Sequence, residues 1–393
     1  MSVSYDVVVV GAGIHGAGLA QAAAAAGHSV LVLEQSAIAA GSSSRSSKLI
    51  HGGLRYLESA QFHLVRESLH ERTLMLKLAP ELVHLRRFYI PVYRATRRRP
   101  WQLRLGLTLY ALLAGFARGS RFGTLPRNRW GELDGINAHQ LQCVFWYHDA
   151  QTNDALLTAA VMRSAQSLGA ELQLPARFVA AELRDQDCVV RYRQGDAEHE
   201  VQCRVLINAA GPWADDIAQQ IAPGISVPML QRVRGTHIVL PTSFGEHCYY
   251  MESPRDGRAV FALPWQGQLM IGTTEARYSG DPGEVQPTGG EINYLLGIGK
   301  HYFPHLRCYE PQDVVRSFAG LRVLPGGPGH AFHRSRETLL ICDRKETPRV
   351  LSIYGGKLTT WRAVSERALQ RVAGALPRRT ARASTRELPL SPT

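Results

Sequence analysis

Hydrophobic and polar positions fall into two textures along this chain. The first begins at once. Tyr5–Val10 is a valine-dominated run that predicts a strand, and a glycine-rich turn follows at Gly11–Gly18. An Ala-rich stretch to Gly27 predicts a helix with a C-terminal glycine, and Val30–Leu33 predicts a second strand. Ser36–Ser47 is a polar loop. Gln61–Leu78 has helical spacing and stops before Pro80, and Asn153 with Asp154 supplies the N-cap of a helix ending near Gly169. Phe178–Leu183, Cys188–Tyr192 and Val201–Asn208 read as a small antiparallel layer returning to a strand that ends in A-A-G.

From Ile225 to Asp343 the texture is short strands (His237–Leu240, Tyr249–Met251, Val260–Leu263, Leu269–Gly272) interrupted by one helix, Glu291–Tyr302. Val350–Tyr354 predicts a last strand, and G-G-K-L-T-T opens a helix through Ala375. The fold class expected is therefore α/β: a Rossmann-like nucleotide-binding domain with an interleaved, mainly antiparallel substrate domain. The expected boundaries are 1–85, 149–226 and 346–376 for the first domain, and 86–148 with 227–345 for the second. Residues 377–393 are expected to form a mobile basic tail.

Composition changes this picture little. The 393 residues are 45% hydrophobic and 20% charged, which is globular. Six scattered cysteines without a C-x-x-C pair argue against zinc ribbons and disulfide scaffolds. Asp6 interrupts the first apolar run, so no signal peptide is expected, and the Leu105–Ala117 run is too short to span a bilayer. These features imply a cytoplasmic protein.

The net charge of +12 matters more, because it is regional. Eleven arginines and no acid lie between Leu82 and Gly131. Arg97–Arg99, Arg104, Arg118 and Arg121 interleave with Trp101, Tyr110 and Phe116 around Leu105–Ala117. That is the composition of an interfacial helix on anionic lipid. A solvated basic face is the bland alternative. No stacking platform for nucleic acid is recognisable, so no nucleic-acid partner is expected.

Candidate chemistry starts with Gly11, Gly13 and Gly16. They satisfy G-x-G-x-x-G between a strand and a helix: a tight turn, backbone access to a pyrophosphate, and close helix–strand packing. Glu34 ends the second strand, where a carboxylate meets ribose hydroxyls. His15, between the glycines, is expected at the ligand rim or in solvent. NAD and FAD share this fingerprint. The late return through L-I-N-A-A-G-P-W-A, with Ala210 and Gly211, suits a long cofactor. The backbone of Gly356, Lys357, Leu358 and Thr359 would suit a flavin pyrimidine, where negative charge develops on reduction. His301 and His305 have metal-ligand spacing, but Pro304 breaks the helix between them, so no metal is assigned.

Several segments are more specific. S-S-S-R-S-S-K-L-I-H-G-G-L-R-Y-L-E (Ser42–Glu58), N-A-A-G-P-W-A (Asn208–Ala214), R-G-T-H-I-V-L-P (Arg234–Pro241), I-G-T-T-E (Ile271–Glu275), S-F-A-G-L-R-V-L (Ser317–Leu324) and Y-G-G-K-L-T-T-W-R (Tyr354–Arg362) occur in this order. Together they resemble the FAD-dependent glycerol-3-phosphate dehydrogenases, over about residues 5 to 375. The chain departs at His15, where an Asn is usual, at Val323, which replaces a proline, and along Gly326–Phe332. It also ends where that family continues into a C-terminal helical domain.

The resemblance implies a fold like that of D-amino-acid oxidase and an FAD cofactor. It also implies oxidation of sn-glycerol 3-phosphate with electrons passed to quinone, and so a peripheral place on the inner face of the cell membrane. Ser46, Ser47, His51, Gly52 and Gly53 then become flavin-proximal. Arg55, Arg322 and Arg336, with Lys357 nearby, become phosphate ligands, because a guanidinium fork binds phosphate bidentately. His237 becomes the base or a substrate contact, with Tyr56 and Thr274 as hydroxyl partners. The alternatives are an oxidase of an amino or hydroxy acid on the same fold, or a flavin-binding module without turnover.

Overall fold

The computed structural model describes residues 4–115, 118–326 and 338–392. The valine run Ser4–Val10 lies between Val30–Leu33 and the long strand Ala197–Asn208, parallel to both. Val350–Tyr354 adds a further parallel strand against the C-terminal half of Ala197–Asn208. The N-terminal half of that strand runs antiparallel to Cys188–Gln194, which pairs in turn with Arg177–Leu183. These strands belong to a nine-stranded sheet, and the helix Ile14–Ala25 packs on it together with Asp154–Ser167 and Trp361–Val372. The first helix is buried nearly all round, which is why its sequence is alanine rather than an amphipathic stripe.

The second sheet has ten strands and is antiparallel apart from one pairing. Leu230–Leu240 lies inside it, flanked by Arg316–Pro325 along its whole length and by Gln268–Gly272 and Ala276–Tyr278 on the other side. Two of its longest strands, Val83–Tyr93 and Leu141–Thr152, pair with each other across the arginine-rich region, and the sequence reading predicts neither. Residues 84–87 are largely exposed, Arg87 fully and Arg86 in part, while residues 88–93 are all buried, so no period-2 alternation marks the strand Val83–Tyr93. The short strand Leu49–Ile50 joins this sheet's edge and carries the serine loop from one sheet to the other.

Three expectations need correction. Residues 377–392 are not a mobile tail. Arg379 pairs with Asp6 at 3.1 Å, Arg382 N donates to the Ala25 carbonyl at 2.7 Å, and Leu390 is buried in the core of the first sheet. Gly27 makes room for this strap, since a Cβ there would lie 2.4 Å from the Thr380 carbonyl. Leu339–Cys342, assigned to the substrate domain, pairs instead with Val350–Tyr354 in the nucleotide sheet. Residues 149–152, assigned to the nucleotide domain, continue the second sheet's strand Leu141–Thr152.

Candidate active site

One continuous cavity of about 1170 Å³ runs between the sheets, from Glu34 at one end to His237 and Arg322 at the other. That is slightly more than the usual volume of a single-ligand pocket, and it suits a long cofactor with a second molecule beside it.

The nucleotide end is built from the glycine turn. Gly11 has φ +101°, and a Cβ there would lie 2.9 Å from the Ala209 carbonyl, so this turn closes only around glycine. Gly13 caps the first helix with no side-chain hydrogen bond, and the first turn holds no acid, leaving backbone N–H groups toward the cavity. Ser43 Oγ accepts from Ile14 N at 2.9 Å. Glu34 receives Ala12 N at 2.8 Å and Ser36 N at 2.9 Å, so it braces the turn as well as facing the cavity. Gly16 does not line the cavity; its role is the close packing expected, with a virtual Cβ 1.8 Å from the Gly11 carbonyl.

Ala210, Gly211, Gly356, Lys357, Leu358 and Thr359 all line the cavity, as do Ser46, Ser47, His51 and Gly53. Ser46 turns its hydroxyl away to Asp154 at 2.7 Å, leaving mainly backbone for a ligand. His51 N and the Thr359 hydroxyl are joined at 3.0 Å, which ties the loop after the serines to the C-terminal glycine turn. Gly52 is a correction. It faces the interior, where its N–H donates to Tyr110 Oη at 2.8 Å and a Cβ would strike that oxygen and Leu69. His15 stands at the ligand rim rather than in solvent: it lines the cavity with its ring over Gly356, and burial lowers its pKa to about 4.

At the other end stand Arg55, Tyr56, His237, Thr274, Arg322 and Lys357. The Lys357 ammonium sits 3.8 Å from the centre of the Tyr56 ring. Arg322 donates to Thr273 Oγ1 at 3.3 Å and lies 3.6 Å from Glu275. Thr274 is less available than expected. Its hydroxyl donates to Glu291 at 2.7 Å and accepts from Thr236 N at 2.9 Å. Arg336 lies outside the described residues.

His237 is sealed from solvent. Its ring stacks on Phe318 with centroids 4.9 Å apart, and Nε2 lies 2.9 Å from the Ser47 hydroxyl. Burial first, and the Arg322 and Lys48 cations next, lower its pKa to about 3, so the ring is neutral and holds a free lone pair. Phe318 lies in a quoted motif, but nothing in the sequence ties it to His237. Tyr250, Arg258 and Phe261 also line this end and were missed, because two ordinary strand residues and a loop arginine carry no motif.

The residues present fit an FAD. The N-terminus of the first helix and side-chain-free Gly13 would take the pyrophosphate, Glu34 would face the ribose, and the turn from Gly356 to Thr359 would meet the pyrimidine edge.

Comparison with known proteins agrees. The family described as FAD dependent oxidoreductase matches residues 6–362. The chain is 38% identical to a glycerol-3-phosphate dehydrogenase of Pseudomonas aeruginosa, covering 93% of this chain and 71% of the relative. It is 35% identical to a D-erythritol 1-phosphate dehydrogenase of Brucella abortus, covering 95% and 74%. Among solved structures, a glycerol-3-phosphate dehydrogenase from Bacillus halodurans complexed with FAD superposes with a TM-score of 0.76 at 25% identity, covering 99% of this chain and 68% of that one. With this sheet order, this cavity and these relatives, the chain belongs to the FAD-dependent oxidoreductase family, in the group that includes the glycerol-3-phosphate dehydrogenases.

Proposed function

We propose that the protein oxidises a short polyol phosphate, glycerol 3-phosphate foremost, to the corresponding keto phosphate. The observation that carries this reading is the meeting of a buried neutral imidazole with cationic side chains at the end of an FAD-sized cavity. When bound, FAD supplies a hydride acceptor. Arg322, Arg55 and Lys357 hold the substrate's phosphate and so orient its carbinol carbon. Nε2 of His237, the nitrogen that meets Ser47, takes the hydroxyl proton. The imidazole holds that proton more firmly once an anionic substrate offsets the cations around it. Burial of His237, Thr274 and Tyr56 keeps water from the reacting carbon.

The test is anaerobic bleaching of the flavin by a panel of glycerol 3-phosphate, erythritol 1-phosphate, glycerol, glycine and lactate as a hydroxy acid. Rapid bleaching by the phosphorylated polyols alone is expected. Bleaching by glycine or a hydroxy acid, but by neither phosphate, would make the protein an amino- or hydroxy-acid oxidase on the same fold.

The same reading places electron output at membrane quinone, with the protein peripheral on the cytoplasmic face. Its support is the helix Pro100–Leu113. No described helix is long and apolar enough to cross a membrane. On this one Trp101, Leu105 and Leu112 are exposed at helical spacing, and Arg97, Arg99 and Arg104 are exposed beside them. Two residues of the expected segment serve elsewhere. Tyr110 turns inward to Asp149 at 2.9 Å, and Arg98 is held by Glu58 and by Glu252 at 2.6 Å. Phe116 lies outside the described residues.

A further inference from the structure

Two glycines interrupt the strands beside His237 and Arg322. Gly272 and Gly235 lie outside the left-handed φ region, so a left-handed turn is not what calls for glycine at either place. What excludes a side chain is a neighbour. Gly272 pairs directly with His237 across the ladder, and a Cβ on Gly272 would lie 2.0, 2.6 and 2.7 Å from three atoms of the His237 ring. Gly235 pairs with Gly320 on the adjoining strand. A Cβ on Gly235 would lie 2.6 Å from Thr273 Oγ1 and 2.8 Å from Arg322 Nη2.

Directly opposed residues in a ladder share a face of the sheet, 4.7–4.9 Å apart in general. A side chain can therefore lie flat over its neighbour's strand only where that neighbour has none. Phe318 pairs with His237 on its other flank and stacks on its ring at an interplanar angle of 12°. The imidazole is thus bounded by an aromatic ring on one strand and leans over a bare Cα on the next, with Ser47 meeting Nε2 from the loop above. Beyond Gly272 the ladder continues to Phe261, which lines the cavity. Arg322, which pairs with Val233, reaches diagonally along the same face so that its guanidinium lies over Gly235.

We propose that Gly272 and Gly235 are positioning residues, strand-interior seats that set the tilt of the His237 ring and the reach of the Arg322 fork. The inference rests on the reading of His237 as base and Arg322 as anion holder. It adds that the reaction geometry is set by strand residues that carry no side chain of their own, and it predicts different kinetic signatures for the two seats. A methyl at 272 displaces the base. A methyl at 235 displaces the anion grip.

The experiment is a pair of double-mutant cycles on the FAD-loaded enzyme with glycerol 3-phosphate. Gly272→Ala should lower kcat by about 10²-fold, the usual effect of an ångström of misplacement, with KM moved only a few-fold. In the His237→Ala background, where the ring that the methyl would strike is gone, Gly272→Ala should cost nothing further. Gly235→Ala should mainly raise KM, and should cost less in the Arg322→Ala background, where the Thr273 hydroxyl alone is left for the added methyl to meet. Equal losses with and without the partner side chain overturn the inference while leaving the functional reading standing. Wild-type turnover in His237→Ala overturns the base reading itself. Should Gly272→Ala fail to fold, the Gly272→Ala/His237→Ala protein should recover FAD content. Failure of both proteins to bind FAD would show a packing role unconnected with His237 and sink the proposal.

Discussion

Nζ of Lys48 lies 2.6 Å from Oδ1 of Asp154, and both side chains are closed to solvent. Lys48 also donates to the Ser44 carbonyl at 2.5 Å, and the other Asp154 oxygen takes Ser46 N and Oγ at 3.0 and 2.7 Å. One carboxylate at the start of the helix Asp154–Ser167 therefore holds the last turn of the serine loop, from Ser44 to Lys48, which carries Ser47 to His237. Asp154→Asn would leave the Lys48 ammonium buried without its counter-charge, a loss of about 3–5 kcal/mol for such a pair. Urea unfolding should show a destabilisation of that order together with reduced FAD content. An unchanged midpoint would mean that the serine loop is held by other contacts.

The glycine turn separates a folding role from a binding role. At Gly13 the backbone is extended, with φ −71°, and a Cβ would meet only Ser43 Oγ at 3.2 Å. Gly13→Val should fold, with the circular dichroism of the parent, and lose FAD, because the side chain occupies the place of the pyrophosphate. At Gly16 a Cβ would meet the Gly11 carbonyl at 1.8 Å, a backbone atom that cannot yield. Gly16→Val should therefore not reach the soluble folded state at all. FAD retained at parental stoichiometry by Gly13→Val contradicts the assignment.

What the sequence made legible follows from how local each signal is. The first βαβ unit is read at once, because the valine run, the glycines and Glu34 are neighbours in sequence and their spacing is the geometry. The pairing of His237 with Ser47 is not legible, since it joins a strand to a loop 190 residues away. The strands Val83–Tyr93 and Leu141–Thr152 were hidden because a membrane-like run of arginines and apolar residues lies between them. The strap at 377–392 was misread for a similar reason. Its arginines suggested solvation, yet Arg379 finds Asp6 and Leu390 finds the core only after the chain has folded back. Gly52 resembled a cofactor glycine in its motif, and only Tyr110, 58 residues on, reveals its inward turn.

Two histidines give opposite pH dependences. His237 is lowered to about 3 in the folded state and would be near 6.5 when unfolded, so the unfolded chain binds more protons between these values. Its contribution to stability is complete above pH 6.5 and is lost as pH falls toward 3, at about 1.4 kcal/mol per unit. His247 is raised by its hydrogen bond to Asp134 at 2.8 Å. That contribution is complete below 6.5 and is lost as pH rises through the elevated value. Urea midpoints at pH 5 and 7, with excess FAD, should converge in His237→Asn and diverge further in His247→Asn. A parental pH slope in His237→Asn would show that the ring is not buried neutral.

Arg322 tests the substrate class. Arg322→Lys keeps the charge and loses the planar fork, so a bidentate phosphate grip would not survive the exchange. Hydrogen bonds to charged groups contribute about 1.5–3 kcal/mol, which predicts a fall in kcat/KM for glycerol 3-phosphate of about 10- to 150-fold. FAD content should be unchanged, because the residue stands at the far end of the cavity from Glu34. Residual turnover of unphosphorylated glycerol should hardly move. Equal impairment of both substrates would make Arg322 a structural residue.

The exposed face of the helix Pro100–Leu113 tests the membrane reading. Trp101 is 66% exposed, Leu105 63% and Leu112 56%, while Leu103, Leu107, Tyr110 and Ala111 of the same helix are buried. The apolar stripe is therefore a second face, and folding does not use it. Insertion of such a face into the headgroup boundary adds apolar burial to the attraction between arginines and anionic lipid, and only the second part is screened by salt. The parent should sediment with anionic vesicles at low salt and retain part of its binding at high salt. Trp101→Glu/Leu105→Glu should lose the salt-resistant part while keeping FAD content and glycerol 3-phosphate turnover with a soluble dye, because both residues lie outside the cavity wall. Equal partitioning of parent and variant, or binding of the parent to neither anionic nor neutral vesicles, would leave the segment a solvated basic face.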